Sequence, residues 1–359
     1  MDAAQRHKAI LRTLRRYGSV RVTELAETLG VTPITVRRDI NQLADGGLLT
    51  RVHGGAVLND TAQNASHAPV GPPPGRRGHS RTIGMVVPAI SYYYREVIEG
   101  ARAAADAYGM RLVIGVSRYE AAEDRAQIRQ LLDQGIEGLL LTPITSTDDA
   151  EGTWRWIAEL PVPVVVVERR HTMAADVGPI EYVISDHEHG ATQAVRHLAG
   201  LGHRRIGLVS RTSPTSGWLR QGFRAAATTL GIHEDVLLPP EVPLPGQPGD
   251  DLDSLVSSLL ESGATALLVH PDEQAVIMLH TLRARGVAVP DDMALVSYDD
   301  EFAGLADVPL TAVAPPRREL GHTGVELLTR RLHGSKGCTL RHIHLLPRLH
   351  IRASTVGTG

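Results

Sequence analysis

From Thr82 onward the chain repeats one pattern, a short apolar run followed by a longer stretch of helical periodicity. The runs Ile83–Val87, Leu112–Gly115, Gly138–Leu141, Val164–Val167, Ile206–Ser210, Ala266–Val269 and Ala294–Ser297 read as strands. Glu96–Tyr108, Glu123–Gln134, Gly190–Leu201 and Glu273–Arg285 read as helices between them. A strand that is apolar on both faces must be covered on both faces, and helical crossovers do that in a parallel sheet. The pattern therefore predicts an α/β fold. Roughly 270 residues is too many for one such sheet, so two doubly wound lobes are expected.

Ahead of this region, residues 59–81 read NDTAQNASHAPVGPPPGRRGHSR, in which Val70 is the single bulky aliphatic side chain. Such a segment has too little apolar surface to bury and reads as a flexible linker. It divides the chain into residues 1–58, 59–81 and 82–354. The first part shows Ile10, Leu11 and Leu14 at helical spacing before Gly18, then Leu25, Ala26 and Leu29 before Gly30. Thr32-Pro33 supplies a hydroxyl N-cap and a proline at the first helical position. The helix that follows carries Val36, Ile40 and Leu43 inward, and two strand-like pieces surround His53-Gly54-Gly55. Three helices and a hairpin make a winged helix-turn-helix.

Charge is distributed unevenly. The whole chain carries −3. Residues 1–58 hold nine Lys/Arg against five Asp/Glu, a basic head on an acidic body, as expected where one end meets phosphate. On the third helix, Ile34, Arg38, Asn41 and Asp45 fall opposite the apolar face, with Arg37 and Gln42 on its flanks. Arg can bond guanine twice, and Asn or Gln can bond adenine twice. An isolated helix with this face would read as merely solvated; the cap, the short turn and the basic wing together favour DNA.

Other classes are disfavoured. No run approaches the roughly 20 apolar residues of a membrane helix, and the charged N-terminus lacks a signal core, so a cytoplasmic protein with no membrane partner is expected. Cys338 is the only cysteine, which fits a reducing compartment. Lys8 and Lys336 are the only lysines and neither lies in a phosphate-binding loop. No nucleophile elbow or dinucleotide fingerprint occurs either. The pairs His187/His189 and His342/His344 lack a matching Cys or acidic set, so no metal and no cofactor are expected.

The segments RHKAILRTL, VTELAETLGVTPITVRRDINQL and GGLLTRVHGGAV closely resemble the DeoR-type helix-turn-helix over about the first 58 residues. The resemblance implies that Thr32, Ile34, Thr35, Arg37, Arg38 and Asn41 face DNA, with Arg51 and His53 near phosphate or minor groove. The segments VISDHEHGATQAVRHLAGLGHRRIGLVS and GVAVPDDMALVSYDDEFAG are among several that resemble the sugar-sensing domain of LacI-type regulators. That implies a periplasmic-binding-protein-like domain of two lobes, with three crossovers near 182–186, 311–316 and 338–342 and a ligand between the lobes.

A sugar site needs fixed donors and acceptors and a flat aromatic wall, and in doubly wound sheets these collect after the strands. Those positions hold Ser91-Tyr92-Tyr93-Tyr94, Ser117-Arg118, Glu168-Arg169, Asp272 and Asp299. The tyrosines serve core or dimer packing as readily as ligand stacking. Asp272 reads strongly as a helix cap; Asp299 reads so less strongly, and it also matches a family ligand contact. Three positions depart from the family. Glu168 stands where Asp is usual, Leu219 stands where an Arg is usual with Trp218 and Arg220 beside it, and Arg317 falls where an aromatic occurs. The candidate effector residues are therefore Ser91, Tyr92, Tyr94, Arg118, Glu168, Trp218, Arg220, Asp272, Asp299 and Arg317. The reading is a homodimeric regulator, a repressor, that binds operator DNA under control of a small sugar. A transport-type sugar-binding protein and an α/β enzyme with a regulatory head are the alternatives.

Overall fold

The computed structural model describes residues 81–90, 92–145, 150–170, 180–232, 242, 251–334 and 338–356, together with parts of the first 58 residues. Its contacts divide the chain into two units, Met1–Arg76 and Arg77–Gly359. Apart from Arg81, the linker reading of 59–81 lies outside the described residues.

In the first unit, β1 (Ser19–Arg21), β2 (Leu49–Val52) and β3 (Gly55–Leu58) form an antiparallel sheet in the order β1-β3-β2. β2 and β3 are the expected hairpin, paired from Leu49–Leu58 to Val52–Gly55, and β1 adds a strand the sequence did not announce. Ile10, Ala26, Val36, Ile40 and Leu43 are buried, as their helical spacing requires. Thr32 Oγ1 accepts from the Thr35 backbone N–H at 3.3 Å, the expected hydroxyl N-cap. Asp39 is buried and accepts two hydrogen bonds from Arg6 at 2.7 and 3.1 Å. The Arg6 hydrogen bonds hold its carboxyl below the usual range. Asp39 therefore ties the chain start to the third helix and does not reach outward.

The second unit contains two sheets. The first has β4 (Thr82–Val87), β5 (Arg111–Val116), β6 (Gly138–Leu141), β7 (Val164–Val167), β8 (Glu181–Ser185) and β13 (His342–Leu345), in the order β13-β8-β7-β6-β4-β5 and parallel throughout. One face packs on α1 (Tyr93–Ala107) and α8 (Arg317–His333), the other on α2 (Ala121–Asp133) and α3 (Ala150–Ala158). The second has β9 (Ile206–Ser210), β10 (Ala266–His270), β11 (Ala294–Tyr298), β12 (Thr311–Ala314) and β14 (Arg348–His350), in the order β14-β12-β11-β10-β9. Only β14 runs antiparallel. Its faces are covered by α4 (His187–Gly200) and α5 (Ser216–Leu230), and by α6 (Leu252–Glu261) and α7 (Asp272–Ala284).

All seven strand runs read from the sequence are strands here; six are buried on both faces, and the seventh, in β5, lies at the sheet edge and is only partly buried. The chain passes between lobes at Ser185–His187, at Ala314–Arg317 and at Leu345–Arg348. The third passage follows β13 and so lies a few residues beyond the expected 338–342. In each lobe one helix pair approaches closely through glycine. A β-carbon at Gly321 would collide with the Val97 carbonyl between α8 and α1, and one at Gly222 with the Glu188 carbonyl between α5 and α4. Any larger residue there forces the helices apart.

Candidate functional site

The carboxyl ends of both sheets face one another, and the backbone there is unusual. Among the described residues, the non-glycine residues at positive φ are Tyr92 (53°), Arg118 (53°), Tyr119 (64°), Glu168 (57°) and Asp299 (75°). Each follows a strand end. Such conformations cost about 1–3 kcal/mol each and persist where the surroundings over-determine them.

Glu168 is held from every side. Its Oε1 accepts from the Tyr93 hydroxyl and from Ser185 Oγ (2.7 Å), and its Oε2 from the Ser185 backbone N–H (3.1 Å). His187 Nε2 lies 3.5 Å away, and its Nδ1 is 2.9 Å from the Tyr298 hydroxyl. Burial would raise this carboxyl, but His187, Tyr93 and Ser185 outweigh it and bring it down to about 2. Glu168 thus joins β7, α1, β8 and the start of α4, and its lone pairs are largely committed at the first passage between lobes.

Asp272 is fully buried at the start of α7. Its Oδ2 accepts the backbone N–H groups of Glu301 (2.8 Å), Phe302 (2.6 Å) and Ala303 (3.2 Å), and its Oδ1 accepts from the Tyr92 hydroxyl at 2.5 Å. It anchors a loop. Asp299 is also buried, 3.3 Å from the Tyr92 hydroxyl and 3.7 Å from His270 Nε2. Burial, with Asp272 beside it, pushes the Asp299 carboxyl up to about 7. Burial, then His187 and Arg211, push His270 down to about 3, so that its ring is neutral. Burial and the two carboxylates drive the Tyr92 phenol far above its ordinary range, which keeps it a donor.

Two chambers open between the lobes and share the wall Glu168, Arg169, His187, Pro214 and Thr215. The first, about 210 Å³, adds Arg170, Ser185, Asp186, Glu188 and Trp218. The second, about 190 Å³, adds four tyrosines (Tyr92, Tyr93, Tyr94, Tyr119), His270 and Asp299. Each is smaller than the roughly 300 Å³ at which pockets for drug-sized ligands begin.

The candidate residues divide accordingly. Tyr92, Tyr94, Glu168 and Asp299 meet in the second chamber, and Trp218 lines the first. Asp272 sits behind the wall, with its carboxylate spent on the 301–303 loop. Arg118 is exposed and Arg220 half-buried, and neither lines a chamber; Tyr119 lines the second beside Arg118. Arg317 is buried, 3.3 Å from Glu96 and from Glu301, and lines a separate groove with Arg348 and His350. Ser91 lies outside the described residues, as do Ile34, Arg37, Asn41 and His53 of the DNA set and the Arg51 side chain. Thr32 and Arg38 are exposed and Thr35 half-buried. Sequence reasoning passed over Arg170 and His270; it named Tyr93 only within the tyrosine run and His187 only as a rejected metal ligand, and left both off the effector list. His270 could have been found, since it ends β10 and Asp272 comes two residues too late. Among the described residues no group of three or more His, Cys, Asp or Glu is placed to hold a metal, and no helix is long and apolar enough to cross a membrane.

Comparison with known proteins agrees with this architecture. Residues 6–62 match the DeoR-like helix-turn-helix domain and residues 195–355 the periplasmic binding protein-like domain. The arabinose metabolism transcriptional repressor of Geobacillus stearothermophilus is 25% identical over 350 residues, covering 92% of this chain and 90% of that one. The transcriptional regulator DegA of Bacillus subtilis is 26% identical over 340 residues, covering 93% and 97%. The crystal structure of the transcription regulator GntR of Chromobacterium violaceum superposes with a TM-score of 0.64 at 27% identity, over 77% of this chain and 100% of that one. The protein thus joins a DeoR-like helix-turn-helix domain to a periplasmic-binding-protein-like domain, and it is a DNA-binding transcriptional regulator, not an enzyme.

Proposed function

We propose that this regulator is a cytoplasmic, dimeric repressor whose operator affinity is set by one small sugar or sugar-like effector held between the lobes. The observation that carries the reading is the pair of small chambers at the strand ends, where tyrosine rings, hydroxyls and carboxylates converge. Such a lining suits a ligand with many hydroxyls and a flat apolar face. A relative that is by name a repressor of arabinose metabolism supports a sugar, and residues 1–58 supply the DNA-reading face. Thr32, Ile34, Thr35, Arg37, Arg38 and Asn41 contact bases and backbone in this reading, with Arg51 and His53 at the wing.

The test is a thermal-shift screen of pentoses and hexoses followed by operator titration at fixed salt. An effector at 100 times its dissociation constant adds about 2.7 kcal/mol of stability. The same sugar should change operator affinity without turnover. Arg38→Ala should weaken operator binding by about 1–3 kcal/mol with an unchanged circular dichroism spectrum, because the side chain is exposed and outside the helix core. Full operator affinity in that variant would sink the recognition-face assignment; turnover of the sugar would sink the regulator reading of the cleft.

A further inference from the structure

Trp218 is the only indole in either chamber, and its ring is already occupied. The Arg170 guanidinium carbon lies 3.5 Å from the Trp218 ring centroid, and Arg170 Nη2 donates to Glu188 Oε1 at 2.9 Å. Arg170 follows β7 in the first lobe, whereas Glu188 and Trp218 stand on the first turns of α4 and α5 in the second. All three line the first chamber. A cation is attracted to an indole face, and the planar guanidinium lies flat along it as a compact ammonium cannot. One face of the Trp218 indole is therefore covered by the protein's own side chain.

We propose that Arg170 is a specificity-determining residue of the cleft: by capping Trp218 and pairing with Glu188 it restricts the effector to a single ring. This rests on the sugar reading given above. A second ring extending from the common wall along the first chamber meets the capped indole. It then has to displace the guanidinium and break the Glu188 pair before it can stack. In Arg170→Ala the ring face is free and the chamber is longer. The substitution is mild for folding, since the Arg170 and Glu188 side chains keep 23% and 33% of their exposure and water can replace the ion pair.

The experiment uses the full chain with 5-fluorotryptophan at its three tryptophans, Trp154, Trp156 and Trp218. Trp218→Phe assigns the third resonance. Arg170→Ala should move that resonance and leave the other two in place. Binding is then measured with glucose, galactose, arabinose and ribose, and with cellobiose, maltose and lactose. Wild type should bind single-ring sugars only. Arg170→Ala should raise the ratio of two-ring to single-ring affinity at least tenfold. An unmoved Trp218 resonance overturns the proposal whatever binds, because the face is then not capped. So does wild-type binding of a two-ring sugar as tightly as a single-ring one, or no gain in the variant. A moved resonance with no sugar bound by any form refutes the sugar reading, and the size limit falls with it.

Discussion

The two sides of the cleft carry opposite halves of the same hydrogen bonds. The first lobe presents donors: Tyr92 to Asp272 and Asp299, Arg95 to Glu301 at 2.9 Å, Arg170 to Glu188 at 2.9 Å, and Arg317 beside Glu301 at 3.3 Å. The second lobe presents the carboxylates of these pairs; the exception is Glu168 of the first lobe, which faces His187 of the second. Each rim is therefore incomplete alone. The acidic rim suffers more, because two buried carboxylates share one neighbourhood and one of them is pushed up to about 7. A buried carboxylate is costly unless it is hydrogen-bonded, so the donors of the first lobe offset part of the penalty that burial imposes on the second. The comparison teaches that the contacts between the lobes are asymmetric, with the electrostatic strain concentrated on the acidic side.

The sharpest break is Asp272→Ala. It removes the acceptor of three loop N–H groups and of Tyr92, and should cost about 3–5 kcal/mol in urea unfolding. A loss under about 1 kcal/mol would show that the 301–303 loop holds itself and that the acidic rim has no such anchor.

Asp299→Asn should come next. It should weaken effector binding by about 1.5–3 kcal/mol if the carboxylate accepts from a hydroxyl. It also has a pH signature. With a folded value of about 7, above its usual 3.8, Asp299 holds its proton in the native state where the unfolded chain has lost it. The contribution of Asp299 to wild-type stability should therefore fall as pH rises from about 4 to 7, by up to about 1.4 kcal/mol per unit, then level off. His270, down at about 3 from 6.5, acts in the opposite sense: its contribution is lost as pH drops through that window. The two nearly cancel in wild type. In Asp299→Asn only the histidine slope remains, so the variant should gain on wild type between pH 4.5 and 7 in urea melts. Parallel curves would mean that Asp299 is ionised throughout, and that the two lobes do not differ in charge strain.

Tyr92→Phe should have the smallest effect, about 0.5–1.5 kcal/mol, since only one hydroxyl is lost from between the two carboxylates. Because that hydroxyl favours ionised Asp299, the downward pH slope should extend to higher pH in the variant. An unchanged upper limit would break the claim that donors from the first lobe govern the acidic rim.

Much of this was legible beforehand. Val36, Ile40 and Leu43 are buried and Arg38 exposed, because helical period alone assigns faces. The seven strands follow from apolar runs too short for helices. Glu168 and Asp299 stand directly after β7 and β11, and the residue after a parallel strand reaches the cleft rim whatever its neighbours are. Arg317 and Asp272 line neither chamber, because position after a strand or passage says nothing about which partners consume a side chain.

The sequence by itself determined which helix residues are buried, where the strands end and which end of the chain carries the helix-turn-helix, since these depend on periodicity and on the residues near each position. Only the tertiary structure decided how those groups are used. It closed Glu168 into a lock with residues 17 and 75 positions away, set Tyr92 between carboxylates 180 and 207 positions away, and laid Arg170 on Trp218. Hydrogen bonds and ring contacts saturate, and saturation depends on neighbours that only the packed lobes bring together.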